Sequence, residues 1–190
     1  MNALLKTTLI TFRRLTLDDL PLIHKWLNTP EVAKWYREKG ASNPSYEFVS
    51  EIWTKMIKEK TPAEPFLIQN CGHPIGYIQR YLISTPEDID HHHLSADAAG
   101  IDLFIGEMEY LHKGLGSIII RQFLTENIFA VYKVETCIID PEPDNKIAIR
   151  SYEKAGFKHY MTTWNLKDAV ASYLMRIERN DICPPFTHQL

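Results

Sequence analysis

The chain has 190 residues, of which 45% are hydrophobic and 24% are charged, and its formal net charge is −3. These values are typical of one globular domain with a single core, and they exclude a disordered, collagen-like or disulfide-dense chain. No apolar run approaches the roughly 20 residues that a membrane-spanning helix needs, and residues 1–14 lack the pattern of a secretory signal. We therefore expect a cytoplasmic protein that does not contact a membrane.

The net charge bears on the class of partner, and the cysteines bear on disulfide formation and metal binding. A negative net charge argues against nucleic acid, because binding to a phosphate backbone needs a basic face, and it is compatible with a cationic substrate. Cys71, Cys137 and Cys183 are an odd number of cysteines without a CxxC spacing. Neither a disulfide framework nor a zinc site is indicated, so we expect three reduced cysteines buried as small hydrophobic side chains.

The first half of the chain predicts a strand, several helices and a hairpin. Residues 9–14 predict a strand, and Thr16 is placed to begin a helix. A short helical piece is expected over 31–36, followed by an amphipathic helix over 46–60. The inward residues of that helix are expected to be Phe48, Ile52 and Met56, with Val49 and Trp53 as further candidates. Two β-rich runs joined by residues 70–73 predict a hairpin.

The second half alternates strands and helices. We expect strands over 100–106 and 134–140, a helix beginning at Gly114, a helix over 145–155 that ends at Gly156, and final strands near 159–165 and 171–178. The strand–helix–strand unit in the middle is a parallel crossover. The fold class is therefore α/β with a mixed central sheet.

Three consecutive histidines, 91–93, lie in a polar and irregular stretch over residues 84–99. Consecutive side chains cannot all point at one ion, and no histidine, cysteine or acid at a suitable spacing accompanies them. We therefore expect a mobile loop here and predict no metal site in the chain.

A glycine-containing turn follows the strand over 100–106. It consists of His112, Lys113, Gly114, Leu115, Gly116 and Ser117. Glycines at the start of a helix let backbone N–H groups close around a diphosphate, which the helix dipole also favours. The third glycine of a dinucleotide fingerprint and the Gly-Lys-Ser/Thr of a Walker loop are both absent. The turn therefore predicts another kind of diphosphate site, with a tight turn that binds nothing as the alternative.

Two stretches around this turn are more specific. GIDLFIGEMEYLHKGLGSIIIRQFL, followed by NKIAIRSYEKAGFKHY, resembles the central motif pair of the GNAT superfamily of acetyltransferases, and TFRRLTLDDLPLIHKWLN resembles the start of that family. The resemblance implies one GNAT domain over residues 1–190, with acetyl-CoA as co-substrate. It also implies that the glycine turn holds the pyrophosphate, that Phe104 and Ile105 line the coenzyme site, and that the helix after Asn145 flanks the pantetheine arm. Leu111 departs from the family pattern, which has Gln or Arg at that position.

Within the superfamily, several stretches are similar to the aminoglycoside 6′-N-acetyltransferases. They are WLNTPEVAKWY, HPIGYIQRY, GIDLFIG, KGLG and the Asp-Pro-x-Pro-x-Asn run at 140–145. This resemblance implies acetyl transfer to the 6′-amine of an aminoglycoside, which is an antibiotic-resistance activity. Part of the set is also similar to acyltransferases of siderophore hydroxylamines. Acylation of a protein N-terminus and a non-catalytic acetyl-CoA-binding module are further alternatives, and both a monomer and a homodimer are open.

Two residues are candidates for catalysis. No Cys-His pair stands at the motif positions, so direct attack by the amine is preferred over an acyl-enzyme. The resemblance implies that Asp102 faces the acceptor amine as a binder or general base; a solvated aspartate at a strand end is the alternative. It also implies that Tyr152 protonates the coenzyme A thiolate, with a core tyrosine as the alternative. Asn145 can cap its helix, bind the pantetheine, or do both.

The candidate acceptor site combines carboxylates with aromatic residues. Asp140 ends a strand at the carboxyl edge, where open α/β sheets bind ligands, and together with Asp102 it would suit a polycationic sugar. The candidates for the wall of the sugar site are Trp35, Tyr36, Tyr77 and Gln79, with burial in the core as the alternative. Glu107 and Glu109 either add negative charge or lie on a solvated face.

Overall fold

A seven-stranded sheet forms the centre of the computed structural model, which describes residues 9–36, 43–59, 61–92, 94, 96–165 and 170–182. The strands are β1 (Ile10–Arg14), β2 (Glu64–Asn70), β3 (His73–Ile83), β4 (Ala98–Ile105), β5 (Thr136–Ile139), β6 (Lys158–Asn165) and β7 (Val170–Glu178). Their order across the sheet is β1-β2-β3-β4-β5-β7-β6. The pair β4–β5 is parallel, and the other neighbouring pairs are antiparallel. The predicted mixed α/β sheet is confirmed.

The helices are α1 (Leu20–Leu27), α2 (Pro30–Ala33), α3 (Tyr46–Lys58), α4 (Pro86–His91), α5 (Leu115–Phe123), α6 (Lys146–Ala155) and α7 (Arg179–Ile182). Two hydrophobic clusters show which face of the sheet each of the larger helices covers. Residues of α1 and α3 pack with Leu67, Tyr77 and Phe104 on one face. Residues of α5 and α6 pack with Ile68, Ile78 and Ile101 on the other. Successive residues of β2 and β3 alternate between the clusters, as expected for strands covered on both faces.

Helix α3 turns most of its predicted inward residues towards the core. Val49 and Trp53 are fully buried, Ile52 and Met56 are partly buried and pack against the same cluster, and Phe48 is also only partly buried. Trp53 and Tyr77 pack edge to face, with ring centroids 4.4 Å apart. The two further candidates, Val49 and Trp53, are therefore the most buried residues of this helix.

The predicted hairpin is confirmed, and its turn lies at Cys71 and Gly72. Both residues have positive φ, 50° and 80° respectively, as a two-residue turn between twisted strands requires. Cys137 is buried as expected, but Cys71 is exposed, because a two-residue turn at the tip of a hairpin has no neighbouring element to cover it. The prediction of burial is therefore wrong for Cys71. Cys183 lies outside the described residues.

Two segments depart from the predicted secondary structure. Residues 86–91 form α4, so a helix occupies part of the stretch for which a loop was expected, while His93 lies outside the described residues. The helix after Gly114 changes at Phe123 into a π-helical segment over Leu124–Phe129. In that segment the backbone carbonyl of Asn127 accepts a hydrogen bond from the buried Arg80 guanidinium. This side-chain contact has no signature in the local sequence.

Within the described ranges, no helix has the length and apolar character needed to cross a membrane. The same ranges contain no group of three or more His, Cys, Asp or Glu side chains arranged to hold a metal ion.

Candidate active site

A cleft opens where the two parallel strands diverge. Strand β4 pairs with β3 along its whole length, but it pairs with β5 only from Ala98 to Gly100. Beyond Gly100 the two strands separate, and a cavity of about 480 Å³ lies between them. Its walls include residues 102–105 of β4 and residues 139–142 at the end of β5. In the described part of the chain, the β5-facing backbone edge of residues 101–105 has no strand partner, so its polar groups can bind a ligand that enters the cleft.

The glycine turn lies at one end of this cleft. His112 and Gly114 have positive φ, 56° and 77° respectively, and Gly114 is the N-cap of α5. The first amides of α5 therefore have no acceptor within the helix, and they form the positive end of the helix dipole. A Cβ on Gly116 would lie 3.2 Å from Ser151 Oγ, so this glycine permits the close approach of α5 and α6.

The predicted coenzyme residues occupy different places around the cleft. Phe104, Ile105, His112, Gly116 and Asn145 line it. Lys113, Gly114, Leu115 and Ser117 belong to the turn without lining the cleft, and the Leu115 side chain packs in the core. The Asn145 side chain caps α6 by accepting a hydrogen bond from the Ala148 amide at 3.2 Å. Leu111 also lines the cleft, so an apolar side chain stands where the family pattern has a polar one.

The cleft also contains two carboxylates. Asp102 projects from β4 and Asp140 follows β5, and both line the cleft. Burial, followed by the charge of Asp140, raises the pKa of Asp102 to about 6. Burial also raises the pKa of Asp140 to about 6. Two carboxylates with raised pKa values in one cleft are typical of a site that binds cations or transfers protons.

Asp102 also has a neutral hydrogen-bond donor. Gln79 lies opposite it on β3, and Gln79 Nε2 donates to Asp102 Oδ2 at 2.6 Å. The hydroxyl of Tyr77 donates to Gln79 Oε1 at 2.7 Å. The prediction that Tyr77 and Gln79 form a wall of the sugar site is corrected here: Tyr77 is fully buried under α3, and neither residue lines the cleft.

Tyr152 lies on α6 between the core and the cleft. Its ring packs near Phe157, with centroids 6.1 Å apart, and the residue is only 7% exposed. Burial, followed by the charges of Asp102 and Asp140, raises the pKa of the Tyr152 hydroxyl. Among the described residues this hydroxyl has no hydrogen-bond partner, yet the residue lines the cleft. The group is therefore a protonated phenol that is accessible to a ligand in the cleft.

Aromatic residues after α2 form another part of the cleft lining. Trp35 and Tyr36 both line the cleft, and their place in a substrate wall stays a prediction. Tyr36 packs edge-on against Phe104 at 4.9 Å between ring centroids, so its ring is held by the core. The Lys34 ammonium lies 4.5 Å from the Trp35 ring centroid.

Two further acids in the lining were not singled out from the sequence. Glu31 on α2 and Glu142 after β5 both line the cleft. Glu142 stands within the Asp-Pro-x-Pro-x-Asn run, shortly after the end of a strand, and this position could have indicated that it lies at the site. Glu107 does not line the cleft; it accepts hydrogen bonds from Lys25 at 2.7 Å and Trp26 at 2.9 Å, and therefore links the β4–α5 connection to α1. Glu109 is exposed.

The fold and the site define a class of protein. A cleft between diverging parallel strands, lined both by a glycine turn at a helix N-terminus and by two carboxylates, has the features of an α/β transferase with a phosphate-bearing donor. The family model described as "Acetyltransferase (GNAT) domain" matches residues 16–164. The chain belongs to this family of acetyltransferases.

Several relatives show which members of this family the chain is similar to. The chain is 30% identical to the aminoglycoside N(6′)-acetyltransferase type 1 of Klebsiella pneumoniae over 168 residues, which are 88% of this chain and 82% of that protein. The protein of the same name from Serratia marcescens matches to the same extent. A kanamycin resistance protein of Rhizobium radiobacter is 39% identical over 77 residues, covering 40% of this chain and 69% of its own length.

Solved structures agree with these relatives. Aminoglycoside acetyltransferase AAC(6′)-Ib with ribostamycin and coenzyme A is 28% identical, with a TM-score of 0.79 over 94% of this chain and 98% of that one. An uncharacterized protein from Bacillus halodurans reaches a TM-score of 0.81 over 92% of this chain and 86% of its own, at 22% identity. That second likeness shows the fold alone.

Proposed function

We propose that this protein transfers the acetyl group of acetyl-CoA to the 6′-amine of an aminoglycoside, and so confers resistance to that antibiotic. The observation that carries the proposal is the acidic acceptor end of the cleft, where Asp102 and Asp140 are joined by Glu31 and Glu142. A multiply protonated sugar gains a charge-assisted hydrogen bond from each carboxylate that it reaches. The proteins named after this activity match nearly the whole chain.

The other end of the cleft fits acetyl-CoA. The free amides at the start of α5 and the positive φ of Gly114 form a cradle for a diphosphate, and nothing lies within 4 Å of the position that a Cβ of Gly114 would take. The unpaired edge of β4 provides backbone partners for an amide-bearing arm. When bound there, acetyl-CoA supplies an activated thioester. Phe104, Ile105, His112, Gly116 and Asn145 would line its path.

Asp102 is suited to remove the proton of the acceptor ammonium. With a pKa of about 6, it is ionised at neutral pH and is more basic than an ordinary aspartate. The neutral amine can then attack the thioester carbonyl directly. Asp140 would hold another ammonium of the sugar and orient the acceptor.

Tyr152 is suited to supply the proton that the leaving sulfur needs. The carbon–sulfur bond breaks as the amide forms, and the departing thiolate takes the phenolic proton. The attacking nitrogen releases its second proton to water, and the Tyr152 phenolate regains a proton from water. Tyr152 is protonated at neutral pH, and its raised pKa makes it a weaker acid, so this role depends on its position beside the sulfur. We also propose a reducing, cytoplasmic location, because an odd number of cysteines without a CxxC spacing gives no disulfide framework.

The experiment is an acceptor panel in which released thiol is measured. The panel pairs kanamycin-type sugars that carry a 6′-amine with analogues that carry a 6′-hydroxyl, and adds a peptide N-terminus and a siderophore-type hydroxylamine. Turnover of the 6′-amine alone is expected. Equal turnover of both sugars would remove the 6′ assignment, whereas activity only on the peptide or hydroxylamine would remove the aminoglycoside. Binding of acetyl-CoA without turnover of any acceptor would favour a non-catalytic module.

A further inference from the structure

A chain of two hydrogen bonds reaches Asp102 from the core of the protein. Tyr77 is fully buried, and its hydroxyl donates to Gln79 Oε1 at 2.7 Å. Gln79 Nε2 then donates to Asp102 Oδ2 at 2.6 Å. Gln79 and Asp102 are directly opposite each other on β3 and β4, so the backbone pairing of the two strands fixes the distance between their side chains.

The direction of this chain has a chemical consequence. An ionised carboxylate can only accept hydrogen bonds, whereas a glutamine side chain has one end that donates and one that accepts. If the amide turned over, its oxygen would face the Asp102 carboxylate, acceptor against acceptor, whereas in the observed orientation it accepts the hydrogen bond of the Tyr77 hydroxyl. The donating end of Gln79 is therefore directed at Asp102, and this contact favours the charged form of the carboxylate.

The first residue of the chain is held by aromatic packing. Tyr77 packs against Trp53 at 4.4 Å, Phe104 at 5.4 Å and Tyr36 at 6.1 Å between ring centroids. Two of these neighbours, Phe104 and Tyr36, line the cleft. The tyrosine that orients Gln79 is thus fixed by the same aromatic group that forms the wall beside the acceptor.

The surroundings of Asp102 change its pKa in both directions. Burial and the charge of Asp140, at the end of β5, raise its pKa, while Gln79 on β3 and His92, which follows α4, lower it. The remaining titratable groups that interact with Asp102 are Tyr81 on β3, Cys137 on β5 and Tyr152 on α6. Gln79 is the neutral donor that offsets part of the cost of burying this charge.

We propose that Gln79 is a positioning residue for Asp102, oriented by Tyr77, and that the pair keeps Asp102 ionised near neutral pH while leaving its second oxygen to the acceptor. This inference rests on the proposed function, in which Asp102 receives the proton of the amine. Neither residue touches the substrate in this role. The predicted place of Gln79 in a sugar wall is replaced by a role one side chain away from the sugar.

The test is a titration of Asp102 in the substrate-free protein. Carboxyl carbon NMR, with the signal assigned through Asp102→Asn, would be recorded for wild type, Tyr77→Phe and Gln79→Leu. Tyr77→Phe keeps the packed ring and removes only the hydroxyl. The matched control is Tyr132→Phe, because the Tyr132 hydroxyl also donates to a carboxylate, Glu64, at 2.7 Å, but outside the cleft.

The pKa of Asp102 is expected to rise by about one unit in Gln79→Leu and by a smaller amount in Tyr77→Phe, since each removes support for the charged form. The acid limb of the kcat/KM profile should move to higher pH by the same amount, and Tyr132→Phe should move neither. An unchanged Asp102 titration in Tyr77→Phe and in any folded Gln79→Leu would overturn the proposal. Shifted titrations in a protein that acetylates no aminoglycoside would instead count against the proposed function.

Discussion

Burial in the same cleft raises the pKa of both Asp102 and Tyr152, and the consequence differs between the two proposed roles. For the carboxylate this change makes a stronger base that is still ionised at neutral pH. For the phenol it makes a weaker acid that remains protonated at neutral pH. The same buried, negatively charged environment therefore strengthens the base, while the acid role of Tyr152 depends on its position beside the leaving sulfur.

Removing the Tyr152 hydroxyl tests the acid role. Tyr152→Phe keeps the ring that packs near Phe157 and loses only the proton donor, so kcat is expected to fall roughly 10²-fold. Affinity for acetyl-CoA, measured by calorimetry, should stay unchanged. Tyr46→Phe is the control, because Tyr46 lies exposed on α3 and does not line the cleft. If kcat holds in Tyr152→Phe, the residue has a packing role and another donor protonates the thiolate.

The raised pKa of Asp102 also predicts a cost in stability. Its pKa is about 6 in the folded protein and about 3.9 in an unfolded chain. Between these values the unfolded state binds fewer protons, so this residue makes the fold less stable as pH rises through that window. Asp102→Asn should therefore increase the free energy of unfolding at about pH 7.5 by on the order of 1 kcal/mol, and change it little at about pH 4.

Glu64 provides the control of opposite sign. Arg80, Tyr132 and Arg14 donate to it and lower its pKa to about 2, against the burial that opposes them. Its contribution to stability is present above about pH 4.5 and is lost as pH falls towards 2. Glu64→Gln should accordingly lower stability at about pH 7.5, where Asp102→Asn raises it. Chemical denaturation checks both, and equal curves for Asp102→Asn and wild type at neutral pH would contradict the raised pKa.

At the scale of elements, the coenzyme site depends on how one helix begins. Gly114 has φ of 77° and nothing within 4 Å of its would-be Cβ. Gly72, at the tip of the β2–β3 hairpin, has φ of 80° and equally open surroundings. A valine at either position would meet a similar backbone strain, roughly 1–2 kcal/mol. The two sites differ in that only Gly114 belongs to the proposed diphosphate cradle.

Gly114→Val is therefore expected to abolish acetyl-CoA binding, because its side chain occupies the space that the diphosphate approaches and its backbone leaves the left-handed region. Gly72→Val should lose similar stability but bind acetyl-CoA normally. Calorimetry gives the affinities, and thermal unfolding shows whether both variants fold. Normal binding by a folded Gly114→Val would remove the cradle from this turn.

The sequence predicted most elements because their signals are local. The turn at Cys71 and Gly72, the cap at Asn145 and the αL residue Gly156 all act within a few residues of their element. Asp140 likewise follows a strand directly, whereas Asp102 lies within β4 and its proposed role was indicated by the family resemblance. What local patterns did not predict depends on packing: the degree of burial differs along α3, where Val49 and Trp53 are fully buried, and the π-helical segment is contacted by Arg80 from a distant strand.

The contact between Gln79 and Asp102 likewise could not be predicted from local sequence patterns. Gln79 and Asp102 are 23 positions apart and meet through the register of β3 on β4. A shift of one residue in that register would send one of the two side chains to the opposite face of the sheet. An amphipathic residue near the site, such as Tyr77, reads equally well as a substrate wall or as core until that register is known.

At the scale of the whole molecule, the charge is placed where the proposed substrate needs it. The net charge is only −3, yet four acids line the cleft: Glu31, Asp102, Asp140 and Glu142. Low-dielectric walls focus the field of such a group and attract cations from solution. A polycationic sugar would therefore be steered towards the cleft by a modestly charged protein.

This distribution predicts that salt weakens the capture of a polycationic sugar much more than that of a monoamine. Between about 0.05 and 0.5 M salt the screening length falls several-fold, so kcat/KM for a kanamycin-type acceptor should decrease while kcat changes little. Glu31→Gln and Asp140→Asn should each reduce this salt dependence, with the larger increase in KM for Asp140→Asn because its carboxylate is more buried. Glu153→Gln, which removes an exposed charge outside the cleft, should leave it unchanged. Equal salt dependence for the sugar and the monoamine would mean that the cleft carboxylates do not attract the acceptor over a distance. Proton transfer by Asp102 would then be the remaining role for a cleft carboxylate.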